Sequence, residues 1–288
     1  MKTLFFNSYQ GYKNAEGLCN ILGGKYHTAP TQWQDNQLQI LKDIKSSDVV
    51  IIWNGMEPSS HWIKDLCERN NTQYVFMEYG FLRSDVRDSY YLDPEGSSCC
   101  SSLNNDISWL TKEQINNSKE KIRNHLNKIN FSNKGKEFVL CPLQVPWDTS
   151  IYLCSKYSGD MKKFLIDVAE KFPEKKIIAT DHPQNENNFN LDDPRLKNVS
   201  FEYKKTTMEL AQYAEIVVGI NSTVLYETLA AGKKTISLGN GPIKSQNGNI
   251  KVVYAALSRQ FKKTDTENFY RILKSVLKQK NETKNSTR

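Results

Sequence analysis

Short continuous apolar runs, each closed by turn residues and separated by helical spacing, constrain this chain more than any other feature. Val49-Val50-Ile51-Ile52-Trp53 stops at Asn54-Gly55, Tyr74-Val75-Phe76-Met77 stops at Glu78-Tyr79-Gly80, and Ile216-Val217-Val218 stops at Gly219. A strand apolar on both sides is buried on both faces, as in a parallel sheet covered by helices. Between the first runs lie segments of helical spacing: 36–44, with Leu38, Ile40, Leu41 and Ile44 apolar, and 61–68. Strand alternating with helix predicts a doubly wound α/β sheet.

The alternation occurs twice. Strands predicted at 3–6, 49–53 and 74–77 form a first half, followed by a stretch without periodicity from Phe81 to Leu110, a long polar helix over Thr111 to Ile129 and a polar linker at 130–136. The second half restarts with strands at 138–140, 176–179, 199–201, 216–218 and 235–238. Its helices are predicted at 161–172, 207–213 and 267–278, the last with Phe269, Ile272, Leu273, Val276 and Leu277 on one side. A chain of 288 residues fits two domains, and we place them at 1–132 and 133–288. The expected architecture is two Rossmann-like doubly wound domains facing a central cleft, with ligands held outside the carboxyl ends of the strands.

The remaining composition narrows the function. The apolar run before Asn7 is too short for a signal peptide or a membrane span, which places the chain in the cytoplasm. The six cysteines form no CxxC pair and stand near no histidine at zinc-ligand spacing, so they read as reduced structural thiols and no metal site is expected. The net charge of +7 is densest from Lys251 to Arg288. Such a tail suits peripheral contact with an anionic membrane as well as a solvated helix face. Nucleic acid is not an expected partner, since no recognition signature accompanies the charge.

Four polar clusters follow predicted strands: Glu78-Tyr79-Gly80-Phe81-Leu82-Arg83, Gln144-Val145-Pro146-Trp147-Asp148, Asp181-His182-Pro183 and Asn221-Ser222-Thr223. Each has a plain structural explanation, Glu78 as a capping carboxylate, for instance, or Asp148-Thr149-Ser150 as an ordinary turn. Their joint placement at strand ends favours a site. Ile216 to Gly232 reads as strand, tight turn and helix, whose first N–H groups and small hydroxyls suit a phosphate. Glu227 follows Thr223 by four residues, one turn along the same helix face, where a carboxylate accepts from a ribose. Pro183 holds His182 on a rigid turn, from which the imidazole donates to a departing phosphate. No GxxxxGK[ST] loop and no acidic pair at a strand end occurs, so neither an NTPase nor a metal-bound diphosphate is predicted.

The set EYGFLRS, PLQVPWDTS, DHP and INSTVLYETLAAGKK resembles the capsular polysaccharide biosynthesis family, the retaining β-Kdo glycosyltransferases, from about Glu78 to Lys234. The resemblance implies a GT-B fold, with an acceptor-side first domain and a nucleotide-sugar-binding second domain. It implies a metal-independent transferase without cofactor that takes a Kdo-like sugar from a CMP-sugar donor to a glycan or glycolipid acceptor, as in capsular polysaccharide or lipopolysaccharide. Asp148 matches the carboxylate that attacks the anomeric carbon, because retention by two inversions needs such a nucleophile. Glu78 matches the acid/base toward the acceptor hydroxyl. His182, Ser222 and Thr223 would hold phosphate, Glu227 the ribose, and Gln144 and Asn221 stand with the nucleotide-binding set. Arg83 is the candidate partner of a donor or acceptor carboxylate. Where the family commonly has a lysine before the HP pair, this chain has Thr180-Asp181. A CDP-glycerol-type glycerophosphotransferase shares the HP pair and the serine-bearing turn but leaves Asp148 without a task. A catalytically silent GT-B partner subunit is the third reading.

Overall fold

A computed structural model of the chain describes residues 1–7, 18–28, 36–82, 89–135, 137–182 and 192–286. The elements used below are, in chain order, β1 Thr3–Asn7, β2 Lys25–Thr28, α1 Gln37–Lys45, β3 Val49–Trp53, α2 Pro58–Arg69, β4 Gln73–Tyr79, β5 Ser89–Asp93, α3 Lys112–Lys128, β6 Phe138–Pro142, α4 Thr149–Tyr152, α5 Met161–Lys171, β7 Ile177–Thr180, β8 Val199–Phe201, α6 Thr207–Ala211, β9 Ala214–Gly219, α7 Val224–Ala230, β10 Lys234–Ser237, α8 Lys251–Ser258, β11 Gln260–Lys262 and α9 Thr266–Ser286. They group into two compact units, Met1–Ser102 with Ala256–Arg288, and Leu103–Ala255. The predicted α/β class is the one observed.

The first unit holds a six-stranded sheet in the order β11-β5-β4-β3-β1-β2. β1 to β4 are parallel, whereas β5 runs antiparallel to β4 and β11 antiparallel to β5. Alternation along β3 explains its unbroken apolar run. Val49, Ile51 and Trp53 join one core with Phe269, Ile272, Leu273 and Val276 of α9, while Val50 and Ile52 join a second with Ile40, Ile44 and Ile63 of α1 and α2. Each face therefore needs its own helical cover.

The expected boundary at 132/133 is corrected at both ends. β11 and α9 belong to the first unit, because the sheet face carrying Val49, Ile51 and Trp53 is covered by α9. An apolar stripe tells that a helix is covered, not by which sheet. α3 belongs to the second unit, where the Ser118 hydroxyl donates to the carbonyl of Tyr254 at 3.0 Å. Within the stretch expected to be irregular, Ser89–Asp93 forms β5, and Asp93 at its end is fully buried. The Asp93 carboxylate accepts from the Tyr91, Ser101 and Ser102 hydroxyls, from the Glu95, Gly96 and Ser102 N–H groups, and from Arg259 Nη1 at 3.1 Å. A buried charge is tolerated only with such company.

The second unit is an all-parallel sheet in the order β10-β9-β6-β7-β8. The chain moves from β6 outward through β7 to β8, then returns to the other side of β6 for β9 and β10. The order reverses between β6 and β9, so their carboxyl ends form the crevice where doubly wound sheets bind ligands. Val139, Cys141, Ile177, Ala179, Ile216 and Val218 share one core with Phe164, Leu165 and Val168 of α5. At Gly219, which closes β9, a Cβ would meet the Leu225 side chain of α7 at 2.9 Å, so the glycine lets that leucine pack closely against the turn.

The thiol expectation holds for Cys19, Cys67, Cys100 and Cys141, which are free, and fails for Cys99 and Cys154, which are disulfide-bonded. Among the described residues no helix is long and apolar enough to cross a membrane.

Candidate active site

At the switch point of the second unit, three strand ends deliver the expected residues. β6 leads to Gln144 and then Asp148, β7 leads to Asp181-His182, and β9 leads to Asn221-Ser222-Thr223. Asp148 is the N-cap of the short helix α4, its Oδ1 accepting from the Ser150 N–H at 2.8 Å. The turn reading and the site reading of Asp148 are thus both compatible with its position, since a cap uses one carboxylate oxygen and leaves the other. The side chain is half-buried, beside an exposed Trp147.

Ser150 is the hub of a brace across the crevice. Its hydroxyl accepts from Gln144 Nε2 at 3.3 Å, and its carbonyl accepts from Asn221 Nδ2 at 2.9 Å. Gln144 Oε1 in turn accepts from the Asn221 N–H at 3.0 Å, and Asn221 Nδ2 also donates to the Asn240 carbonyl at 3.2 Å. The segments that follow β6, β9 and β10 are fastened by two amide side chains. Gln144 and Asn221, expected in the nucleotide-binding set, thus also brace the segments that follow the strands. Gln144 is buried with both amide ends engaged, and the Asn221 amide spends its donors on backbone carbonyls.

Ser222 and Thr223 are half-buried at the same edge. The expectation that helix N–H groups point outward is modified here. The Val224 N–H is taken by Ser222 Oγ at 3.3 Å, Leu225 N–H by the Ser222 carbonyl and Tyr226 N–H by the Thr223 carbonyl. The donors left to a ligand are those of the turn itself, the N–H groups and hydroxyls of Ser222 and Thr223.

Glu227 does not lie open to a ribose. It is 7% exposed, and its Oε1 stands 3.1 Å from Nε2 of the equally buried His125 on α3. The ring N–H is not aimed along that line, so the two side chains meet without a formed hydrogen bond. Glu227, expected at the ribose, is turned inward against α3. His182 stays half-buried at the strand edge. The unexpected acidic neighbour has a structural task, as Asp181 Oδ1 accepts from the His182 N–H at 2.8 Å. Pro183 lies outside the described residues.

In the first unit Glu78 ends β4, half-buried. Its Oε2 accepts from Asn54 Nδ2 at 2.9 Å and its Oε1 from the Tyr79 N–H at 2.9 Å. Asn54 and Gly55 both have positive φ, 65° and 82°. That turn after β3 aims the Asn54 amide at the carboxylate, while Asn54 Oδ1 accepts from the Met56 N–H at 3.0 Å. Asn54 was absent from the expected site, although an Asn-Gly pair closing a buried strand was its signal. Arg83 lies outside the described residues. Among the described residues no three His, Cys, Asp or Glu side chains gather as a metal site would require.

No protein-family profile matches the chain. Over 202 residues, 67% of its length, it is 30% identical to the protein FixF of Sinorhizobium fredii, and it spans about half, 48%, of that protein. Two solved structures share its fold. The β-Kdo 2,7 transferase of Thermosulfurimonas dismutans KpsC superposes with a TM-score of 0.60 at 17% identity over 96% of this chain and 99% of that one. The β-Kdo 2,4 transferase of the same KpsC gives 0.61 at 17% identity, over 90% and 91% of the two chains. Two Rossmann-like units and this likeness together give the chain the GT-B glycosyltransferase fold.

Proposed function

We propose that this chain is a glycosyltransferase that moves a Kdo-like acidic sugar from a CMP-sugar to a glycan or glycolipid acceptor with retention. The observation that carries the reading is the brace at the switch point, in which Gln144, Ser150 and Asn221 fasten the carboxylate of Asp148 beside the Ser222-Thr223 turn. A nucleophile and an anion cradle on adjacent strand ends are what displacement of a nucleoside monophosphate from an anomeric carbon requires. The likeness in fold to the β-Kdo transferases of KpsC supports the sugar assignment.

In the first step Asp148 attacks the anomeric carbon while the bond from that carbon to the phosphate oxygen breaks. CMP leaves with the electron pair, and its charge is met by the Ser222 and Thr223 donors and by the His182 imidazole. In the second step the acceptor hydroxyl attacks the glycosyl–aspartate, its proton goes to a general base, and Asp148 is released. Two inversions give net retention.

Calorimetric titration with CMP, CDP and UDP in EDTA tests this reading. Selective CMP binding is expected. Preference for CDP points to a glycerophosphotransferase, preference for UDP removes the donor assignment, and no binding to any of them leaves a silent partner subunit.

A further inference from the structure

The chain carries an aromatic surface that the site described above does not use. β8 pairs in parallel with β7, with Ala179 opposite Phe201, and the Glu202 N–H donates to the Ala179 carbonyl at 2.9 Å. Continuing that register sets Tyr203 level with Asp181, next to His182. Side chains alternate along the strand, so Val199, Phe201 and Tyr203 share a face. Val199 and Phe201 close over the core that includes Phe164 and Leu196, while Tyr203 runs past its edge and is 54% exposed. The Tyr203 ring lies on that of Phe201 with centroids 5.6 Å apart and planes 11° from parallel. One ring face is thus fixed on a half-buried neighbour and the other is turned to solvent. Burial and then the nearby Asp181 carboxylate hold the Tyr203 phenol above its ordinary range, which agrees with its place beside the β7 end.

A large flat ring stacked in place at the carboxyl edge of a doubly wound sheet is costly to leave bare, and every nucleobase offers a matching π-face. The strand that carries His182 is one strand spacing away, about 5 Å. A ribose bridges such a gap between phosphate and base. We infer that Tyr203, backed by Phe201, is the stacking platform for the base of the donor nucleotide. The inference rests on the nucleotide-binding reading given above and adds a residue and a subsite to it.

The test is calorimetric titration of the full chain and its Tyr203→Ala, Tyr203→Phe and His182→Ala variants, each with CMP and with ribose 5-phosphate, which lacks a base. Tyr203→Ala is expected to weaken CMP binding about 5- to 150-fold, the range for removing one base–aromatic stack. Ribose 5-phosphate should bind Tyr203→Ala as it binds the unaltered chain, and Tyr203→Phe should keep CMP affinity. His182→Ala should weaken both ligands. Undiminished CMP binding by Tyr203→Ala overturns the platform, and so does an equal loss of ribose 5-phosphate, which would mark a merely structural role. If the unaltered chain binds CMP while Tyr203→Ala binds it equally well, the platform alone falls. If the unaltered chain binds no nucleoside monophosphate, the reading of the site falls and the platform with it.

Discussion

Asp148 stands in two roles that one pair of substitutions separates. As N-cap of α4 it accepts from the Ser150 N–H, and as proposed nucleophile it needs an ionised oxygen aimed at an anomeric carbon. Alanine removes both. Loss of an N-cap costs about 1 kcal/mol, within a range of roughly 0.5–2. For a unit the size of Leu103–Ala255 that lowers the unfolding midpoint by roughly 2–4 °C per kcal/mol. Asparagine caps as well as aspartate but its amide is no nucleophile. Asp148→Asn should therefore melt within about 1 °C of the unaltered chain, bind CMP normally and lose transfer by roughly 10⁴-fold or more, the scale on which removing a member of a nucleophilic unit acts. Asp148→Ala should lose transfer equally and also melt lower. The assays are thermal unfolding by circular dichroism, calorimetry with CMP, and sugar transfer followed by mass spectrometry. If Asp148→Asn retained more than about a tenth of the transfer rate, a barrier difference of only about 1.4 kcal/mol, covalent catalysis by Asp148 would be refuted. If both variants melted alike and lower, the damage would be to the α4 loop.

Other substitutions test the frame around the site. Gln144→Leu keeps the volume but removes two hydrogen bonds, one to Ser150 and one to the Asn221 N–H. About 2 kcal/mol of stability should be lost in urea unfolding, and an unchanged midpoint would deny the brace. Arg259→Met strips the buried Asp93 of its cation and should cost about 3–5 kcal/mol, read as an early loss of the first unit in urea. A loss below about 1 kcal/mol would mean that the hydroxyl and N–H donors around Asp93 suffice. Asp167 is held below the usual carboxylate range by the hydrogen bond and charge of Lys156, 2.6 Å away, with Tyr157 adding a hydrogen bond, against the opposing effect of its burial. A depressed carboxyl stabilises fully above its unfolded value near 3.9 and loses that contribution as pH falls through the folded one. Asp167→Asn should thus destabilise by about 0.5–1 kcal/mol at pH 7 and by progressively less below about pH 4. A penalty independent of pH would contradict the assignment.

Much of this architecture is legible in the residues themselves. The buried parallel strands β3, β4, β6 and β9 announce themselves as unbroken apolar runs because both their faces are covered. β2, β5 and β11 do not. Lys25–Thr28 and Gln260–Lys262 are short and half polar, and Ser89–Asp93 ends in a charged residue whose burial makes sense only beside Arg259. Strand ends located Asp148, His182 and Ser222-Thr223 because a doubly wound sheet puts ligands there whatever its chemistry. What the side chains do at those ends was less legible. Gln144 and Glu227 have ligand-like chemistry, yet one is spent on Ser150 and on Asn221, 77 residues away, and the other faces His125, also far away in sequence. Tyr203 had a signal in the period-two series Val199, Phe201, Tyr203, but nothing in that series says where the covering core ends.

The return of β11 and α9 to the first sheet also orders events during synthesis. A ribosome releases Leu103–Ala255 whole, as one uninterrupted stretch able to close its own core, while Val49, Ile51 and Trp53 still lack the helix that covers them. Of the two, the unit whose strands are made earlier is thus the later to close, its sheet face unshielded until α9 has emerged.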